Sequence, residues 1–248
     1  MARSEQVTHW AFARAIQQLW NQLRAQARLL PARAWWRWST WLVVGLVGCV
    51  ALSWAQALVG QRLAPRGLDD WDSRVMRWLE QRGPISFQNA ILVESPGNLA
   101  YLIPLVATAA VIAILKRRPV FAATLVASYL LVRAIVLVGW LTWDRPRPKI
   151  ILDGVAAPPL HSFPSGHVAL ALSVYGLLAY VWWERSRSAI ERTFIVILTL
   201  AWCLVVGTAR VRLGTHWPSD VAGGAILGLA WLPFAIAALR RAERLRDI

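Results

Sequence analysis

Ala209-Arg210-Val211-Arg212-Leu213-Gly214-Thr215-His216-Trp217-Pro218-Ser219-Asp220 joins two long apolar runs, about Phe194–Thr208 before it and Asp220–Leu239 after it. A helix needs roughly 20 apolar residues to cross a bilayer, so a short polar stretch between such runs reads as a loop between two spans. Working outward, the same pattern recurs. Further apolar runs lie at about Trp41–Gly60, Leu99–Leu115, Val120–Leu141 and Ser165–Trp183. The expected fold class is all-α: a polytopic membrane protein with six transmembrane helices and an N-terminal amphipathic helix. Composition agrees, because 57% of the 248 residues are hydrophobic, which excludes an ordinary soluble domain.

Net charge is +14. In a soluble chain that excess would suggest nucleic acid, but here it lies mostly in loops and tails, and no nucleic-acid partner is expected. Six spans put both termini on one side. That side carries sixteen Lys and Arg, against ten on the other. The bias predicts cytoplasmic termini in the cytoplasmic (inner) membrane. Many of the 16 Trp, such as Trp35, Trp36, Trp140, Trp143, Trp182 and Trp183, flank the spans as interfacial belts do. Cys49 and Cys203 both lie in apolar runs and read as small packing residues.

Two regions follow. Residues 1–39 form an Arg-rich cytoplasmic tail with Phe12, Ile16, Leu19, Leu23 and Leu30 at roughly helical spacing; a surface amphipathic helix and a disordered tail both fit. Residues 40–248 form the six-span domain. Ala55-Gln56-Ala57 resembles a signal-peptidase site, but the long polar leader argues against cleavage. Residues 61–97 read as an interfacial or extramembrane helix ending near Ser95-Pro96-Gly97.

Three polar clusters within 140–220 end up on the side opposite the termini, the periplasmic or extracellular side: Asp144-Arg145-Pro146-Arg147-Pro148, Pro164-Ser165-Gly166-His167, and Arg210 with His216 and Asp220. Together they make the inventory of a phosphoryl-transfer site. Fixed cations must stabilise the charge on a transferring phosphoryl group, and Arg does so with a planar fork. Arg147 and Arg210 are the first candidates, with Arg145, Lys149 and Arg212 nearby. Pro164–His167 opens a span, where helix amides point outward; Gly166 permits close approach and Ser165 adds a hydroxyl. His216 and Asp220 are four residues apart. A carboxylate on one imidazole nitrogen leaves the other free to attack, although Asp220 also fits a plain helix cap. No cofactor is called for, and no Asp/Glu/His cluster suggests a metal. His161 reads as an exposed bystander, and His9 has no assigned role.

These clusters resemble the three signature motifs of the phosphatidic acid phosphatase type 2 superfamily: K-x6-R-P, P-S-G-H and S-R-x5-H-x3-D. The second matches fully. The third matches at Arg210, His216 and Asp220, with Ala209 in place of Ser. The first matches at Arg147-Pro148, with Trp140 where the pattern has Lys. The resemblance implies a membrane-embedded lipid phosphatase that needs no metal. His216 would be the nucleophile that becomes phosphohistidine, Asp220 its orienting partner and His167 the general acid. Arg147, Arg210, Ser165 and the Gly166 amide would hold phosphate. Its partners would be a lipid phosphate or diphosphate substrate and membrane lipids. The charge missing at Trp140 is expected from Arg212, two residues from Arg210 in an extended loop, or from Arg145 or Lys149. Rival readings are a phosphotransferase on the same scaffold and a non-catalytic lipid-phosphate binder or transporter. Arg133, fourteen residues before Arg147 and deep in a span, calls for a buried partner or a cavity.

Overall fold

The computed structural model describes residues 2–83, 85–151 and 161–245, with side chains described from residue 13 onward. Among them the regular elements are all helical: α1 (Ala2–Arg28), α2 (Ala32–Leu63), α3 (Leu68–Arg82), α4 (Phe87–Glu94), α5 (Leu99–Leu115), α6 (Pro119–Thr142), α7 (Gly166–Arg185), α8 (Ala189–Arg212) and α9 (Pro218–Glu243), with single 3-10 turns after α2 and α4. Six helical stretches are long and apolar enough to cross a membrane, as expected. Pro158 and Pro159 of the 142–163 loop, and the His9 side chain, lie outside the described residues.

Span edges shift from the expected ones for local reasons. The tail is helical, but its helix stops at Arg28, and Pro31 precedes a new helix that starts at Ala32 rather than near Trp41. Proline fixes φ and lacks an N–H, so it suits a helix start. Leu23 of α1 packs against the core, and Gln26 donates to the Ile114 carbonyl (2.9 Å), so α1 docks at the α5–α6 turn. The 61–97 stretch is two helices, not one. The second, α4, continues through a 3-10 turn into α5, and residues 87–115 form one span. The fifth span runs on to Arg212, which carries Arg210 and Arg212 into the last helical turn of α8.

The bundle closes through small residues, as helices do where lipid supplies no hydrophobic drive. Helix α9 packs against α2 and α7. Gly45, Cys49, Ser53, Ala57 and Gly60 line the buried face of α2, and Ser53 donates to the Ile135 carbonyl (2.9 Å). At Gly224 of α9, a Cβ would stand 2.3 Å from the Ser165 carbonyl oxygen. The Ser165 amide in turn donates to the Asp220 carbonyl (2.9 Å), which locks the entry of α7 against the first turn of α9. At the other end of the bundle, Arg118 pairs with Glu243 (3.1 Å) and approaches Glu184 (3.7 Å).

Gly224→Ala should therefore push the Ser165 backbone away and lower stability by about 1–3 kcal/mol. Thermal unfolding in detergent measures this; an unchanged midpoint would show that the α7–α9 contact yields freely.

Candidate active site

Four segments meet at one end of the bundle: the first turn of α7, the last turn of α8, the 213–217 turn into α9, and the extended chain after α6. Pro218 and Asp220 start α9; the Asp220 carboxylate turns back and accepts the Trp217 amide (2.8 Å), closing the helix start as an acidic first-turn residue does. His216, just before this cap, is thereby fixed in place and almost wholly buried.

The two ring nitrogens of His216 face opposite charges. Nδ1 lies 3.5 Å from the Asp220 carboxylate, and Nε2 lies 3.3 Å from an Arg147 terminal nitrogen. Burial, reinforced by Arg210 and Arg147, holds the His216 pKa at about 4, although Asp220 pulls it upward. The ring is therefore neutral at neutral pH. His167 packs edge-on to it, with ring centroids 6.3 Å apart. His167 Nε2 sits 2.7 Å from Asn98 Oδ1, while Asn98 Nδ2 donates to Glu94 (3.1 Å). Glu94 also binds Arg210. One chain of contacts thus links the third-motif arginine to the second-motif histidine.

Arg147 donates to the Thr215 carbonyl (2.5 Å) and the His161 carbonyl (3.4 Å). Burial and the neighbouring Arg210 push its pKa down. Among the described residues, the buried polar atoms at this end that have no hydrogen-bond partner include Arg147 Nε, Arg210 Nε, Ser165 Oγ and His216 Nδ1. Buried polar groups are normally paired, and such a set of donors suits an anion. Arg147, Arg210, Ser165, Gly166, His167, His216 and Asp220 are therefore brought together as the sequence suggests.

Two expected phosphate ligands have other partners. Arg145 is buried with its donors engaged by carboxylates and a hydroxyl: one terminal nitrogen binds Asp220 and Ser219 Oγ, the other Asp69 and Asp72, each at 2.7 Å. Trp143 and Trp217 cover its faces, with guanidinium-to-ring distances of 4.7 and 5.1 Å. Burial lowers its pKa, but the carboxylates outweigh this and the net shift is upward. Arg145 holds Asp220; it does not face a phosphate. Arg212 is also misplaced by the extended-loop expectation. In a helix, residues two apart point to different faces. Arg212 lies over the Phe87 ring, 5.8 Å from its centre. Nor does Trp140 leave a gap: its indole N–H donates to the Pro164 carbonyl (3.0 Å) and its ring stacks on His161. Lys149 is exposed.

Sequence reading missed Glu94, Asn98, Asp69, Asp72, Ser162 and Ser219. Asp72 is fully buried and accepts the Ser219 amide (2.8 Å) and hydroxyl (2.5 Å). Ser162 donates to Asp220. Among the described residues no group of three or more His, Cys, Asp or Glu forms a metal-binding cluster.

The model of the PAP2 superfamily matches residues 121–244, half of the chain, and the chain belongs to that superfamily. It is a multi-pass membrane protein. Phosphatidylglycerophosphatase B of Bacillus subtilis (strain 168) is 35% identical over 99 residues, covering 38% of this chain and 45% of the relative. The protein of the same name from Escherichia coli (strain K12) is 33% identical over 76 residues, covering 31% of this chain and 27% of the relative. The chain thus spans less than half the length of each of these relatives. Two solved structures share the fold. Aquifex aeolicus LpxE superimposes with a TM-score of 0.52 at 22% identity, covering 67% of this chain and 93% of LpxE. A PAP2-type phosphatidylglycerolphosphate phosphatase from Bacillus subtilis gives 0.53 at 21% identity, covering 79% and 94%.

Two predictions follow from this geometry. With its pKa held at about 4, the His216 imidazole stays neutral on acidification until that value is approached, and activity that depends on its free nitrogen should persist as far. Asp220 raises the pKa of His216, so Asp220→Asn should move the acid limb of kcat/KM still lower while cutting the rate; a limb shifted upward would contradict the arrangement. Arg212→Ala should retain turnover within about threefold, because Arg212 stands against Phe87. A loss of one to two orders of magnitude, about 1.4–2.8 kcal/mol, would return it to the phosphate site.

Proposed function

We propose that this chain is a metal-independent lipid phosphatase, acting on a lipid phosphate or diphosphate through a phosphohistidine. The observation that carries the proposal is the placing of His216 between Asp220 on Nδ1 and Arg147 on Nε2. With the proton on Nδ1, beside the carboxylate, the lone pair on Nε2 points to the side where Arg147 would hold the phosphate. Attack forms the N–P bond as the P–O bond to the lipid breaks. His167 gives the leaving oxygen its proton. In the second step water attacks phosphorus, His167 takes its proton, and the N–P bond breaks to release phosphate and neutral His216. Arg147, Arg210, Ser165 Oγ and the Gly166 amide stabilise the equatorial oxygens in both steps. Asn98 accepts from His167 Nε2 when that nitrogen carries the proton, and so orients the acid. Names of the relatives support the substrate class, since two are phosphatidylglycerophosphatases.

The reaction would occur at the outer face of the cytoplasmic membrane. The support is the positive-inside bias, which puts the termini and the Arg118–Glu243 end in the cytoplasm. Arg145, Asp69 and Asp72 are positioning groups in this scheme, acting through Asp220.

His167→Ala should slow release of an alkyl lipid alcohol by roughly 10²–10⁴-fold, the usual range for a lost general acid. An aryl phosphate, whose leaving group needs little protonation, should suffer much less. Equal losses on both substrates would assign His167 to binding alone. Phosphate release by the purified chain from phosphatidylglycerol phosphate, phosphatidic acid and undecaprenyl diphosphate, all in EDTA, tests the class of reaction. No release from any of them would overturn it, and phosphate found on an added acceptor lipid or sugar would favour a transferase.

A further inference from the structure

Arg133 takes no part in the chemistry above, yet it lies inside a span. It is exposed on the surface of α6, and among the described residues it makes no hydrogen bond or ion pair. A guanidinium at that depth requires oxygen acceptors, because hydrocarbon supplies none. Its surroundings indicate which acceptors those are.

Arg133, Leu137 and Trp140 follow one another at i, i+4 and i+7, which puts them on one stripe of α6. With Ala134, Val136, Gly166 and Leu170 they line a cavity of about 180 Å³ between α6 and α7. The upper part of that cavity is set by the catalytic helix. A Cβ on Gly166 would lie 3.4 Å from Val136 and 3.6 Å from Trp140, so the first turn of α7 rests at the level of those two residues. Ser165 and His167 flank Gly166. Arg133 is three residues beyond Val136, about 4.5 Å further into the membrane. A charged donor therefore sits roughly one helical turn below the place where phosphate would be held, in a cavity bordering that place.

We infer that Arg133 binds the ester carbonyl oxygens of an acylated glycerol phosphate substrate, and that the α6–α7 cavity selects acyl-ester lipids over chains that lack those oxygens. This rests on the phosphatase reading and narrows its substrate class. In an acylglycerol phosphate the ester carbonyls hang just below the phosphate, toward the hydrocarbon. A polyprenyl phosphate has no acceptor at that level, and an ether-linked lipid offers only a weak ether oxygen in place of the carbonyl. Hydrogen bonds from a charged donor to a buried acceptor are the stronger kind, and a site built to make one rejects the analogue that lacks the acceptor.

The test compares phosphate release by the full chain, in a nonionic detergent free of ester lipid, from three substrates. They are a diacylglycerol phosphate, its ether-linked dialkyl counterpart of equal chain length, and a polyprenyl phosphate. The wild type should show kcat/KM for the ester lipid about 10–100-fold above the ether lipid. Arg133→Met and Arg133→Gln should bring that ratio toward one, chiefly by loss on the ester lipid. Equal wild-type rates on ester and ether lipids would overturn the inference without recourse to any variant. Parallel losses on both in the variants would also overturn it and would assign Arg133 to bundle stability or to bulk lipid. Activity confined to the polyprenyl substrate would overturn the inference while leaving the phosphatase reading intact. No release from any substrate would remove both.

Discussion

The Asp220 carboxylate is the interaction on which the rest of this end of the protein depends. It is fully buried, and one oxygen accepts from Arg145 while the other accepts from Ser162 and the Trp217 amide and faces His216. A bare carboxylate in such a place would be prohibitively costly; it persists because the cation and the amides are fixed around it. Removing one partner of a buried pair of this kind typically costs about 3–5 kcal/mol, so the Asp220–Arg145 pair carries the structure of this end of the bundle whatever its part in the chemistry. The same carboxylate closes the start of α9, stands 3.5 Å from the imidazole, and ties α9 to α3 through Arg145, Asp69 and Asp72. Trp143 and Trp217 each present a ring face to the Arg145 guanidinium, which adds cation–π attraction to the ion pairs.

That arrangement explains why the site can stand at helix ends. A membrane span satisfies its own backbone but leaves amides free in its first turn. Here α7 presents its first turn and α8 ends in Arg210. The 213–217 turn holds His216 between them. Small residues bring the helices close enough for this, as Gly224 against Ser165 shows. A second network, Arg210–Glu94–Asn98–His167, links the remaining cation to the remaining histidine. Glu94 occupies one terminal nitrogen of Arg210 and leaves Nε unpaired. Arg210 is thus held in place with a donor still to give.

Much of this was legible in the chain. Apolar run length gave six spans, because the bilayer sets a minimum that few other folds demand. His216, Asp220, Arg147 and His167 stood out because polar residues at the ends of apolar runs are costly without a purpose. What stayed hidden depended on direction rather than spacing. Arg145 and Arg147 look equivalent two residues apart, yet one turns to carboxylates and the other to the imidazole. Arg212 reads as a second cation beside Arg210, but helix α8 continues through it and turns it toward Phe87. Asp72 and Glu94 come from helices far from the motifs, and no local pattern announces that a carboxylate on α3 will meet an arginine beyond α6. Trp140 read as a missing charge; it is an indole donor to Pro164.

The central claim is that His216 becomes the covalent carrier of the phosphoryl group. Its most direct test is to mix the purified chain with a phosphorus-labelled lipid phosphate, quench within milliseconds in alkali, where phosphohistidine survives, and locate the label by peptide mass spectrometry. The account predicts transient label on His216 of the wild type and none in His216→Ala. Turnover without any protein-bound label on that time scale, or label on another residue, would contradict it.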